Sequence, residues 1–227
     1  MRRFIRILLP VDASVPSIPL VFITFFLVAI FQMPIHHIFG GESFSLRIIV
    51  NEVVVVLGIP LTLIYFFHFD RKRLLPLKQI SIPVIVFVVM LTFGADVVID
   101  YLTKLSEYFF PLPKWVQNSF DKLMEVRGVQ DIIWKVIILC ALPAVCEEIF
   151  FRGYCQSAIT KRLGVWKAIV ITSLLFAALH GNPWYFHLYF ILSLVIGGIY
   201  ALTGNLWTAI ICHFFNCLIK HTWFQAI

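Results

Sequence analysis

Residues 168–219 read AIVITSLLFAALHGNPWYFHLYFILSLVIGGIYALTGNLWTAIICHFFNCLI and contain no Asp, Glu, Lys or Arg. As one helix the stretch would rise about 1.5 Å per residue, more than twice the roughly 30 Å thickness of bilayer hydrocarbon. It must therefore fold back on itself. Pro183 and the pair Gly204-Asn205 supply the punctuation. This predicts three spans, over 165–181, 185–203 and 205–222.

The rest of the chain has the same character. Of 227 residues, 61% are hydrophobic and 13% charged, and the mean hydropathy is +0.95. Soluble domains carry about 25% charged residues, which excludes a water-soluble globular enzyme. The 23 Phe and 6 Trp exclude a disordered or collagenous chain. The net charge is +6, but no basic face remains once the apolar runs are placed, so no nucleic-acid partner is expected. The expected fold class is an all-α, polytopic membrane bundle of about seven transmembrane helices around a buried polar site.

Working towards the N-terminus, a fourth span is predicted over Ile132–Thr160 and a third over Ile80–Ile99, with Asp96 near its end. Residues 100–131 mix charges, aromatics and prolines and read as an interfacial loop with a short amphipathic helix. The second span, Leu46–Phe69, contains Glu52, and the first lies in the charge-free run Ala13–Gly41. A basic start (Arg2, Arg3, Arg6) precedes that run, which is read as a retained span and not a cleaved signal. The chain thus divides into N-terminal helices and loop, 1–130, and a core, 131–222. Lys and Arg favour the cytoplasmic side. Placing the N-terminus there also puts Arg71, Lys72, Arg73, Lys78, Lys161, Arg162 and Lys167 inside. The five cysteines (Cys140, Cys146, Cys155, Cys212 and Cys217) form no CxxC pair and read as small buried apolar groups.

The fourth span carries charges that a lipid-embedded helix does not tolerate lightly. Glu147, Glu148 and Arg152 fall well inside it, and each costs about 2.5–3.5 kcal/mol at a helix centre unless compensated. Glu148 and Arg152 are four apart with the acid N-terminal, the favourable order for a helical ion pair. Glu147 is rotated about 100° away and points elsewhere, less compensated. Two adjacent carboxylates in different environments are a common arrangement for acid/base chemistry.

Two histidines join them by depth. If the fourth and fifth spans form a hairpin turning near Gly164, Glu147 precedes the turn by 17 residues and His180 follows it by 16. His213 lies in the last span, 9 residues after Gly204, so helix tilt or a re-entrant turn must absorb a difference in depth. A carboxylate and a histidine can orient and deprotonate a water for attack on a peptide carbonyl. A second histidine and the Asn216 side chain can stabilise the oxyanion. The same residues, Glu147, His180 and His213, could instead hold a divalent metal. No HExxH and no GxSxG is present. Outside this set, Glu52 with Asn51, and Asp96, are expected to hydrogen-bond between spans or line a path. Asn182 and His187 are expected at the cavity mouth, and Gly197-Gly198 at a close helix contact.

Three motifs, Glu147-Glu148-Ile149-Phe150-Phe151-Arg152 (EExxxR), Phe176 to His180 (FxxxH) and the last-span His213, resemble those of the CPBP family, the CAAX-protease and bacteriocin-processing intramembrane endopeptidases. The resemblance covers about residues 130–220. It implies a helical membrane fold and peptide-bond hydrolysis near the terminus of a membrane-associated substrate, lipidated substrates included. By resemblance Glu147 is the general base, His180 its partner on the catalytic water, Glu148 and Arg152 support the site, and His213 helps form the oxyanion hole. The preferred mechanism needs no cofactor; a metal-dependent version is the alternative. The family's third motif places Asn or Asp four residues after the histidine, where this chain has Cys217, with Asn216 at three. A helix puts these two positions on nearly the same face, so Asn216 is expected to substitute. The expected partners are a peptide or protein substrate and the lipid bilayer, and the expected location is a bacterial-type plasma membrane. A non-catalytic membrane partner or bacteriocin-immunity protein of the same fold is the second reading, and an ion-coupled transporter the third. The latter is disfavoured by the lack of inverted repeats.

Overall fold

A computed structural model describes residues 14–38, 44–118, 125–126 and 128–223, with the side chains of 34–38 and 221–223 excepted. The expected positions of Arg2, Arg3 and Arg6 fall outside these residues. Helix α1 is Ile18–Ile38 and α2 is Phe44–Phe66, whose middle, Asn51–Leu57, is π-helical. A short α3, Arg71–Leu74, is capped by Asp70, whose side chain accepts from the backbone N–H groups of Lys72 and Arg73. Helix α4 is Ile82–Phe109. Helix α5 runs from Val129 to Leu163, with π-helical turns over Val136–Ala141 and Ile149–Gln156. Then come α6 (Val165–Leu179), α7 (Phe186–Thr203) and α8 (Leu206–Trp223).

These helices stand where the seven spans were expected. Phe44–Phe66, Ile82–Phe109 and Phe186–Thr203 are long and apolar enough to cross a membrane. The break before α7 falls at Pro183, and the break before α8 at Gly204, whose φ of 57° suits glycine. One boundary differs. The third span was expected to end at Ile99 in an interfacial loop, yet α4 continues to Phe109. Its polar extension has partners: Lys220 pairs with Asp100, and the Tyr185 hydroxyl donates to Glu107 Oε1 at 3.0 Å.

Helix α5 is the centre of the bundle. Phe150 through Gln156 are all buried, so this segment is enclosed on every side. One apolar cluster joins it to α1, α2 and α6 through Val21, Phe25, Val56, Phe151 and Phe176. A second joins Ala144 of α5 to α4, α7 and α8 through Val88, Ile196, Ala209 and Cys212. Gly197 permits the α5–α7 approach: its carbonyl accepts from Gln156 Nε2 at 2.9 Å, and a Cβ there would lie 3.0 Å from Gln156 Oε1.

The basic turns gather on one side. Lys161 donates to Ser14 Oγ, Arg162 donates to the carbonyls of Pro16 and Val15, and Asp70 N–H donates to Ser14 O. Asn205 holds the 76–78 loop: its Oδ1 accepts from Lys78 N–H, its Nδ2 donates to Lys78 O, and Leu206 N–H donates to Pro76 O. The loop after α2, the Gly164 turn and the Gly204 turn therefore share one face, at which α5 ends and α8 begins.

Candidate active site

At the core of the bundle is an ion pair with no exposure to solvent. Arg152 Nη1 donates to Glu148 Oε1 at 3.1 Å, Arg152 Nε lies 3.0 Å from Glu148 Oε2, and both side chains are 0% exposed. The other edge of the guanidinium is also satisfied: Nη2 donates to Ser193 Oγ at 2.8 Å and to Ser193 O at 3.0 Å, on α7. The Phe176 ring lies 5.0 Å from Cζ. Close pairing with added hydrogen bonds is what makes a buried charge pair tolerable.

His213, on α8, completes this group. Its Nδ1 lies 2.7 Å from Glu148 Oε1. Because Glu148 is the acceptor for Arg152, the hydrogen of this bond resides on His213 Nδ1. Glu148 and His213 thus meet although they stand 16 and 9 residues from their respective turns at Gly164 and Gly204.

Glu147 stands apart, as its 100° rotation predicts. Its Oε2 is shielded from solvent and has no hydrogen-bond partner among the described residues. Glu52 of α2 and the Tyr189 phenol of α7 lie within electrostatic reach of it. His180 ends α6, and its Nδ1 lies 2.8 Å from Phe176 O. A carbonyl only accepts, so Nδ1 carries the hydrogen and Nε2 is an unprotonated acceptor in the neutral ring. The imidazole stacks on Tyr189 at 4.0 Å and packs on Phe176 at 4.6 Å. Phe176 also touches His213, at 5.9 Å. No hydrogen bond joins Glu147 to His180 directly; Tyr189 is the side chain in common.

Asn216 and Cys217 diverge. Asn216 Nδ2 donates to Asp96 Oδ1 at 2.7 Å, which turns it towards α4. Cys217 is disulfide-bonded to Cys140 of α5. The expectation that the two positions share a face does not hold: successive residues are about 100° apart, enough to reach different neighbours. The reading of all five cysteines as buried apolar groups is corrected for this pair. Cys146, Cys155 and Cys212 are free and buried. The pairing spans 77 residues and exists only because α5 packs on α8.

Among the described residues no three His, Cys, Asp or Glu side chains are gathered as a metal-binding group. Ser193 and Tyr189 were missed by the sequence reading. Nothing in its local sequence marks Ser193 as a partner for a residue 41 positions away, and nothing around Tyr189 marks it as the ring that stacks on His180. Asn182 shapes the turn before α7: its Oδ1 accepts from the N–H groups of Trp184 and Tyr185.

Comparison with known proteins bears on the same helices. Residues 129–219 match the family model of type II CAAX prenyl endopeptidase Rce1-like proteins. The UPF0177 protein YxdF of Lactococcus lactis subsp. lactis (strain IL1403) is 34% identical over 122 residues, covering 51% of this chain and 67% of that protein. The chain belongs to the CPBP family. An uncharacterised protein, YpbD, of Bacillus subtilis (strain 168) is 38% identical over 108 residues, covering 44% of this chain and 51% of that protein. The chain thus spans about half to two thirds of the relatives it matches. No solved structure matches. The Rce1-like match implies a peptidase, and with the apolar helices it makes this CPBP chain a membrane protein. The matched segment begins with α5 and ends in α8, so it contains every residue of the buried group.

Proposed function

We propose that this protein is an intramembrane endopeptidase in which Glu147 and His180 activate a water for hydrolysis of a peptide bond. The observation that carries the reading is a contrast between neighbours. Glu148 holds Arg152 and His213 through Oε1 and faces Arg152 Nε with Oε2, whereas Glu147 Oε2 has no hydrogen bond or ion pair among the described residues. Glu148 is thereby a structural anion and Glu147 the carboxylate left for chemistry.

In this reading Glu147 takes a proton from the water as it attacks the substrate carbonyl, and His180 Nε2 accepts the water's second hydrogen and fixes its direction. In this step His213 acts as the imidazolium paired with Glu148, so that its Nε2–H donates to the carbonyl oxygen as it becomes an oxyanion, with the second N–H of Asn216 as a further donor. Glu147 then gives its proton to the leaving nitrogen, and the C–N bond breaks. No metal takes part in these steps. The substrate class is a membrane-associated peptide end, with prenylated CaaX peptides the first to try. The cellular setting proposed is a bacterial-type plasma membrane, basic turns on the cytoplasmic side.

The test is cleavage by purified protein in proteoliposomes, using an internally quenched farnesylated CaaX peptide and its unlipidated counterpart. In parallel, membrane proteomes of cells carrying wild type or Glu147→Ala are compared for trimmed termini. Wild type should cleave at least one substrate and the folded Glu147→Ala protein none. Equal trimming by both would overturn the reading.

A further inference from the structure

The Cys140–Cys217 disulfide stands where the CPBP pattern has a polar residue, and it ties together the two helices that hold the buried acid–histidine contact. Cys217 is one helical turn beyond His213, and Cys140 is two turns before Glu147 and Glu148. The bond and the His213–Glu148 contact thus brace the same α5–α8 interface. We propose that this pair is a redox modification site that sets the seating of His213 on Glu148, with the disulfide form the competent one.

Access is one-sided. Cys140 is 0% exposed, whereas Cys217 is only partly buried. Lys220 and Asp100, both about one-third exposed, lie one turn beyond Cys217 and mark the aqueous end of α8. That end is opposite the basic turns, on the side where disulfides persist if those turns face the cytoplasm. A thiolate of a small dithiol attacks Cys217 Sγ, and the S–S bond breaks. The Cys140 sulfur leaves with the electron pair and takes a proton from water. The second thiol of the reagent then attacks its own sulfur in the mixed disulfide and releases Cys217. One dithiol is oxidised and two cysteines are reduced; a low-molecular-weight disulfide reverses the exchange. The Leu139 carbonyl lies 3.2 Å from Cys217 Sγ, an acceptor within reach of the thiol that reduction releases.

The test starts with protein in native membranes, denatured in detergent and alkylated with polyethylene-glycol maleimide. Three adducts are expected before treatment with dithiothreitol, from Cys146, Cys155 and Cys212, and five after it. Five adducts before treatment would overturn the proposal. Amide hydrogen exchange is then followed across α8 in proteoliposomes. Dithiothreitol should speed exchange around His213 by about tenfold, and Cys140→Ser/Cys217→Ser should match reduced wild type and ignore the reagent. Unchanged protection in reduced wild type overturns the proposal even if the double variant fails to fold. The activity arm rests on the peptidase reading: cleavage of the quenched peptide should fall about tenfold along the same dithiothreitol titration. If cleavage depends on Glu147 but ignores the reagent, redox control fails and the peptidase reading stands. If wild type cleaves nothing, the peptidase reading fails and hydrogen exchange alone decides the redox proposal.

Discussion

His213 Nδ1 lies 2.7 Å from Glu148 Oε1, joining α8 to α5 at the centre of the bundle. This contact divides the two adjacent glutamates by task. Glu148 serves as the anchor for a cation and an imidazole, and its neighbour is free of both. The division follows from helix geometry, since adjacent residues point about 100° apart.

Removing the base should stop catalysis without unfolding the protein. Glu147→Gln is expected to lower kcat by about 10²- to 10⁴-fold. The thermal transition should stay close to that of wild type, because Glu147 Oε2 makes no hydrogen bond that the substitution would break. His180→Ala should show a similar loss of rate. Initial rates on the quenched peptide, with unfolding followed by circular dichroism in detergent, check both.

Arg152 should behave in the opposite way. Arg152→Met leaves Glu148 buried without its counter-charge and strips Ser193 of its donor, a loss of about 3–5 kcal/mol. Arg152→Lys restores the charge but not the forked donor set and should recover only part of that. Denaturant or thermal unfolding of the purified variants gives the ranking; equal stability of Arg152→Met and wild type would contradict the anchoring role.

Two glycines should respond differently to a methyl group. A Cβ on Gly153 would stand 2.8 Å from Leu75 Cδ2 and 3.0 Å from the Leu74 carbonyl, which belongs to α3 and cannot step aside cheaply. Gly153→Ala should therefore destabilise by about 1–3 kcal/mol. Gly198, with nothing within 4 Å of its Cβ position, should tolerate alanine or gain up to about 1 kcal/mol from helix propensity. The difference in melting temperature between the two variants is the measurement.

Asp96 tests the polar network behind Asn216. Asp96→Asn keeps an acceptor for Asn216 Nδ2 and should cost little. Asp96→Ala leaves that buried amide unpaired and removes a neighbour of Lys220 at 3.7 Å, so about 1–3 kcal/mol is expected. If Asn216 donates to the oxyanion, Asp96→Ala should also lower kcat more than it raises KM.

Hydropathy and punctuation were enough to locate the helices because burial in lipid demands long apolar runs, and the breaks fall at Pro183, Gly164 and Gly204, where backbone chemistry requires them. The Glu148–Arg152 pair was also legible, being a local i,i+4 relation on one helix. What the linear chain could not carry were contacts between helices. Ser193 on Arg152, Asp96 on Asn216 and Cys140 on Cys217 link residues far apart in sequence, and Tyr189 on His180 links two helices across a turn. Each depends on how α4, α7 and α8 are rotated about their own axes against α5. The α4 extension to Phe109 belongs with them, since its charges are matched by Lys220 and Tyr185 from distant segments. Local apolar pattern determines where a chain is helical in a bilayer. Which side chains then meet is settled by packing, because a rotation of one residue's worth, about 100°, sends Asn216 to one helix and Cys217 to another.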